Sequence, residues 1–257
     1  MKAPVSIAAI PDVPAIAPGD DLARILGDSV ERTGGLVDGD ILAVAHKVVS
    51  KAEGNVIDLN AVTPSPRAQE LATELNKNPA KVEVVLGESR RVVRSFKRPE
   101  QNEGTLICEH RLGFISANAA VDESNAEGAN TVITLPRDPD HSARALGQQL
   151  EARFGCALGV VVTDTFGRPW RLGQVNVAIG LYRVPALASE VGTSDAWGRP
   201  LAVTEPALAD EIAAASGLVV RKAARTPLVC FRGLNWSPQE DASAQHIIRA
   251  SQEDMFR

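Results

Sequence analysis

The sequence predicts a mixed α/β domain of the α+β class, with strands and helices interleaved along the chain, and three observations carry that expectation. Apolar runs of strand type, Ile41 to Ala45, Ala157 to Thr163 and Pro227 to Phe231, are separated by segments whose apolar residues recur at helical spacing. Three cap-and-proline pairs, Ser65-Pro66, Asn78-Pro79 and Asp138-Pro139, mark helix starts, where proline loses nothing because its missing N–H would be unpaired anyway. The third observation is size: 257 residues, 44% of them hydrophobic, can bury a core without a disulfide or metal staple.

The elements follow in order. A short strand near Ile7 and a proline-rich loop precede a helix through Leu22, Ile25 and Leu26, which Gly34-Gly35 closes. Asp38-Gly39-Asp40 turns the chain into the Ile41–Ala45 strand, after which Lys47 and Lys51 bracket Val48-Val49-Ser50. Helices starting at Pro66 and Pro79 run to about Leu75 and Phe96. Thr105 to Cys108 and Phe114 to Asn118 suit a hairpin around Arg111-Leu112-Gly113, the polar loop Val121 to Asn125 follows, and Thr131 to Leu135 is a further strand. In the next helix Ala143, Leu146, Leu150 and Phe154 lie on one face, and Gly155 ends it. Ala157 to Thr163 is apolar and β-branched throughout, as a strand covered on both faces requires, and Asp164-Thr165 stand at its end, where α/β sheets place ligands. A loop through Arg168 and Arg171 leads to a strand over Gln174 to Tyr182. Thr204 caps a helix through Leu208, Ile212, Ala215 and Val219, and Pro227 to Phe231 is the last strand. Ser237-Pro238-Gln239-Glu240 reads as a capping box opening a C-terminal helix that carries Ile247 and Ile248 toward Met255-Phe256.

Composition removes several classes of function. Lys plus Arg number 27 against 32 Asp plus Glu, a net charge of −5, so nothing marks a binding face for nucleic acid. No apolar run reaches the roughly 18 residues of a membrane span, and a soluble, cytoplasmic chain is expected. Cys108, Cys156 and Cys230 lie far apart with no paired spacing, which signals neither a disulfide framework nor a zinc knuckle. The phosphate loop GxxxxGK[ST], the dinucleotide fingerprint GxGxxG, HExxH and GxSxG are all absent, so the fold carries no Rossmann or P-loop signature.

Two polar clusters remain, each following an apolar run: Asp122 with Ser124 and Asn125, and Asp164 with Thr165, with Arg168 and Arg171 just beyond. Carboxylates and a hydroxyl are hard oxygen donors suited to Mg²⁺ or Mn²⁺, which keep waters and bind substrate phosphates as well. Arginine forks match phosphate and carboxylate oxygens, although both could simply lay their stems over apolar surface. The same residues allow a plainer reading, in which Asp164 caps a turn and Asp122 closes an Asx-turn.

Three blocks go further: Asp38-Gly39-Asp40 with Lys47 to Gly54, Asn118 to Asn125, and Asp164 to Gln174, supported by Val203-Thr204-Glu205 and Ala209-Asp210-Glu211. Together they closely resemble the coenzyme F420-0:L-glutamate ligase (F420:gamma-glutamyl ligase) family, over nearly the whole chain. That resemblance implies a single catalytic domain over 1–257 with a helical tail from 235, and an enzyme joining L-glutamate to a deazaflavin precursor, coenzyme F420-0. It implies GTP as co-substrate, GDP as product, Mg²⁺ or Mn²⁺ at the site, an acyl phosphate on the path and a homodimer, with the apolar C-terminal helix as its candidate contact. Residue by residue it implies a metal role for Asp122, Asp164 and Thr165, and nucleotide contacts for Ile10-Pro11-Asp12-Val13, His46, Lys51 and Asn125. Lys222 lies in a looser match to a further nucleotide stretch. A catalytic role falls to Asp122 and Asp164, with Arg168 and Arg171 meeting substrate or phosphate. Some relatives carry a fused flavin-binding reductase domain; this chain stops at Arg257, and no flavin is expected. Two departures bear on the acceptor. Val175-Asn176 stands where the family usually has Thr-Asp, and Leu187 to Gly198 lacks its Tyr-Arg-Gly pattern. They leave open a sibling ligase with another phosphorylated acceptor, a non-catalytic nucleotide-binding homologue, or a phosphohydrolase.

Overall fold

A five-stranded sheet organises the molecule in the computed structural model, which describes residues 4–124, 128–220 and 225–254. In chain order the elements are β1 (Ser6–Ala9), α1 (Leu22–Arg32), β2 (Ile41–Ala45), α2 (His46–Ala52), β3 (Val56–Asp58), α3 (Pro66–Leu75) and α4 (Pro79–Gly87). Then come β4 (Ser89–Phe96), β5 (Thr105–His110), β6 (Ile115–Ala117), β7 (Thr131–Ile133), α5 (Pro139–Phe154), β8 (Gly159–Arg168), β9 (Arg171–Tyr182), α6 (Leu208–Ser216) and β10 (Leu228–Arg232). The main sheet has the order β1-β10-β2-β8-β9, while β3-β7 and β4-β5-β6 form two smaller sheets. The mixed α/β expectation is met, and among the described residues no sheet closes into a barrel.

Among the described residues only β2 and β8 run parallel, with Ile41 opposite Gly159 and Ala45 opposite Thr163. Their continuous apolar runs are buried over Ile41–Val44 and Gly159–Thr163, and only Ala45 at the site end is partly open. Leu26, Ile41, Leu42, Leu150, Leu158 and Phe231 are among the largest fully enclosed side chains of this core. A second core lies between α3, α4 and the β4–β5 hairpin, around Leu71, Leu75, Val82 and Leu106. The caps work as their residues predict. Ser65 accepts from the Ala68 amide, Asn78 from those of Ala80 and Lys81, Asp138 from that of His141, and Gly155 ends α5 at φ 65°.

Four expectations need correction. The helix from Pro79 stops at Gly87, and Ser89 to Phe96 is strand, because the β-branched pair Val92-Val93 finds a partner strand in β5. The expected loop through Arg168 and Arg171 is the tip of a long hairpin: β8 continues to Arg168, Pro169 and Trp170 make the turn, and Trp170 takes φ 57°, a position where glycine is the ordinary occupant. Thr204 caps nothing; its carbonyl accepts from the Glu190 amide, and α6 starts only at Leu208 after Pro206.

The fourth correction concerns the tail. In place of a C-terminal helix, the described residues form two short 3₁₀ turns, Ala244–Ile247 and Ser251–Glu253, and Met255-Phe256 lie outside them. The backbone donors a helix would need are taken by distant acceptors: the Gln239 amide by the Arg183 carbonyl, and the Ala244 amide by Asp140, which also accepts from the Ser243 hydroxyl. Asp140 holds the Leu181 amide of β9 at 2.7 Å as well. One carboxylate therefore seats the tail, the start of α5 and the sheet edge together. Asp140→Ala should lower stability by about 2–3 kcal/mol in a urea titration, since several donors lose a charged acceptor at once; an unchanged midpoint would show that water replaces it without loss.

Candidate functional site

The C-terminal ends of the parallel pair open into a cavity of about 860 Å³. β2 delivers Ala45 directly into α2, so that His46 and Lys47 stand at the cavity wall, with Lys51 one helical turn further on. β8 outruns β2 beyond Thr163 and sets Asp164 and Thr165 beside them, while β9 brings Asn176 opposite Thr165. Val13 to Ile16, the end of α6 around Gly217 and the segment Arg225 to Pro227 complete the enclosure. Asp164 thus shares the cavity with Lys47, Lys51 and Arg225, whose charges suit an anionic ligand.

His46 is 2% exposed, its Nδ1 lies 3.2 Å from the Ser50 hydroxyl and its Nε2 lies 3.2 Å from Asp164 Oδ1. That second approach makes no hydrogen bond, and Nε2 has no hydrogen-bond partner among the described residues. Buried ring nitrogens are seldom left unpaired, so its surroundings suit a polar ligand at this point. Asp164 Oδ1 also accepts from the Thr165 amide at 2.6 Å. Thr165 donates its hydroxyl to Asn176 Oδ1 at 2.8 Å, leaving the oxygen's lone pairs available to a cation. Asn176 in turn donates to the Ser216 hydroxyl at 3.2 Å. An asparagine can accept from Thr165 and donate to Ser216 simultaneously; an aspartate here could only accept.

Asp122 sits outside this wall but is tied to it. Its Oδ1 accepts from the Ser124 amide at 2.7 Å, which is the Asx-turn of the plainer reading, and its Oδ2 lies 2.6 Å from Lys47 Nζ. Lys47 bonds the Ser124 carbonyl and hydroxyl too. Burial alone would raise the Asp122 pKa, but the Lys47 ammonium and the Ser124 donors outweigh it and hold the carboxyl below its ordinary value. The two aspartates are therefore bound by successive residues of one helix, Asp164 beside His46 and Asp122 by Lys47.

The remaining sequence candidates divide. Of the 10–13 segment, only Val13 reaches the cavity: Ile10 is core, with its amide on the Leu228 carbonyl, and Asp12, at φ 56°, gives its carbonyl to Arg32. Pro11 is exposed and does not line the cavity. Arg168 and Arg171 lie at the exposed hairpin tip, away from the cavity wall, and Arg168 donates to the Leu172 carbonyl. Asn125 and Lys222 fall outside the described residues. Lys47, which the sequence reading passed over, is the residue that joins the two clusters. Its spacing of four from Lys51 was the available signal, because residues so placed share one helix face.

Comparison with known proteins bears directly on this geometry. Residues 12–233 match the family described as F420-0:Gamma-glutamyl ligase. The chain belongs to that family. Among relatives of the F420-0:gamma-glutamyl ligases, the coenzyme F420:L-glutamate ligase of Methanopyrus kandleri is 46% identical over 246 residues, 94% of this chain and 93% of the relative. The coenzyme F420:L-glutamate ligase of Methanothermobacter thermautotrophicus is 38% identical over 98% of this chain and 99% of its own length, and that of Archaeoglobus fulgidus 36% over 98% and 96%.

A divalent cation, implied by likeness to the F420-0:gamma-glutamyl ligases, can be tested against the donors present. Among the described residues no three His, Cys, Asp or Glu side chains gather closely enough to cage an ion. That excludes a preformed zinc-like cage built from those residues but suits Mg²⁺ or Mn²⁺, which take one or two carboxylates and complete their shell with water and substrate phosphate. Asp164, Thr165 and Asp122 supply hard oxygens of that kind.

Proposed function

We propose that this chain is a coenzyme F420:L-glutamate ligase, joining the amine of L-glutamate to a carboxylate of coenzyme F420-0 in coenzyme F420 biosynthesis. The observation that carries the reading is that Asp164, Thr165 and Lys51 of the family blocks converge, with His46, on one cation-lined cavity at the ends of the parallel strands. A carboxylate is a poor electrophile, and GTP is the proposed source of a phosphoryl group that turns it into an acyl phosphate. The glutamate nitrogen then forms the amide bond and phosphate departs with the former carboxylate oxygen, GDP having left in the first step. When bound, Mg²⁺ or Mn²⁺ would offset the charge of the crowded phosphate oxygens. Asp164 and Thr165 would hold that cation from the sheet and Asp122 from the loop, while Lys51 and Arg225, which line the same cavity, meet phosphate.

Lys51→Ala tests the nucleotide half of this account. The KM for GTP should rise about tenfold with kcat little changed, as expected when one charge-assisted contact common to ground and transition states is lost. An unaltered KM would return Lys51 to the role of a solvated lysine.

We place the homodimer contact on the hairpin tip and the 187–206 loop, because the described residues of the tail form no α-helix to supply one. Leu172 is 99% and Trp197 86% exposed, so both are free to meet a second copy. Arg168 and Arg171, at the same tip, would then reach substrate only from an assembled pair. One second reading has its own support: Val175 and Asn176 line the cavity where the family usually carries Thr-Asp, so a different phosphorylated acceptor fits the same chemistry.

A further inference from the structure

Lys47 makes a contact that the proposed chemistry does not need and a bound cation would not tolerate. Its ammonium is 2.6 Å from Asp122 Oδ2, the oxygen a divalent ion would take. Two cations cannot share one carboxylate oxygen at contact distance without strong repulsion. Lys47 also holds Ser124, but the loop has anchors of its own beside it. The Asp122 backbone pairs with Ile133 in both directions, at 3.0 and 2.8 Å, and Lys81 from α4 grips the adjoining Glu123 at 2.7 Å. The Ser124 amide orients the Asp122 carboxylate without Lys47, while the Ser124 hydroxyl is shared between Asp122 and the Lys47 ammonium. The ammonium is thus an exchangeable partner on a loop already anchored by others, and its side chain lines the cavity into which it would be released.

We propose that Lys47 is the resident counter-ion of the cation-free site: it neutralises Asp122 until a divalent cation displaces it, and the freed ammonium then serves the anionic ligand in the cavity. Lys47 is a positioning residue in this scheme, and its removal has opposite effects on the two ligands. Cation binding tightens because its competitor is gone, while anion binding weakens. The inference rests on the cation reading above, and its test separates the two.

Binding of Mn²⁺ to the full chain, without nucleotide, is followed by electron paramagnetic resonance in the wild type, Lys47→Met, Lys47→Arg and Lys51→Met. Lys47→Met should bind Mn²⁺ about tenfold more tightly, the equivalent of one charged hydrogen bond no longer displaced. Lys47→Arg, which keeps the competing charge, should stay near the wild type. Lys51→Met controls for the general loss of a positive charge and should shift affinity no more than about twofold. Unchanged or weaker Mn²⁺ binding by Lys47→Met, with the fold verified by circular dichroism, would overturn the inference alone, as would equal tightening in Lys51→Met. Absence of Mn²⁺ binding in all four proteins would overturn the cation reading along with it.

Discussion

Replacing Asp164 by asparagine is expected to reduce ligase turnover by roughly 10²–10³-fold while leaving the unfolding midpoint in place. The two halves of that result have separate causes. In the folded chain Asp164 Oδ1 accepts from the Thr165 amide and stands beside His46 Nε2. An asparagine with its oxygen at the Oδ1 position keeps the acceptor for the Thr165 amide and leaves His46 Nε2 as it is in the wild type, so no further buried polar group is stranded. The neutral amide nevertheless lacks the full charge that a hard cation selects, and the developing phosphate charge in the transition state loses its counterpart. Steady-state kinetics beside a thermal melt checks both halves. Full activity would remove Asp164 from the cation site, and a collapsed melting curve would assign it to stability instead.

The largest effect on the fold itself is expected at Gly180. A Cβ built there would fall 2.3 Å from the Pro139 carbonyl oxygen and 2.4 Å from its carbon, so the start of α5 lies directly on β9 and the obstruction is backbone. Neither side can yield by rotating a side chain, and Gly180→Ala should cost about 3 kcal/mol or more, a fall in melting temperature on the order of 6–12 °C. Gly87→Ala provides the contrast, because nothing lies within 4 Å of its Cβ position and its φ is not in the left-handed region; it should be neutral or slightly stabilising. If Gly180→Ala melts with the wild type, α5 does not pack on β9 in this register.

What could be read in advance follows from how local each determinant is. α5 announced itself because Asp138, Pro139 and Gly155 carry both its ends within the sequence of the helix. β2 and β8 did so because strands buried on both faces must be apolar throughout. The tail misled because its capping box is outcompeted by Asp140, about a hundred residues upstream, a partner that no local pattern displays. β4 was hidden behind a good N-cap: Asn78 starts a helix, but nothing nearby except Gly87 shows where it stops, and the β5 pairing decides it. In the site, Asp164 and Thr165 were legible as polar residues closing an apolar run. Lys47 was not, because its meaning depends on a loop 75 positions further along the chain reaching back to α2.

Mass spectrometry of a reaction containing the purified chain, coenzyme F420-0, L-glutamate, GTP and Mn²⁺, with ATP and no-nucleotide controls, tests the account most directly. The account predicts a GTP-dependent product heavier than the acceptor by one or more glutamyl residues, with GDP formed alongside. Protein that binds GTP and Mn²⁺ yet leaves coenzyme F420-0 unmodified would contradict it.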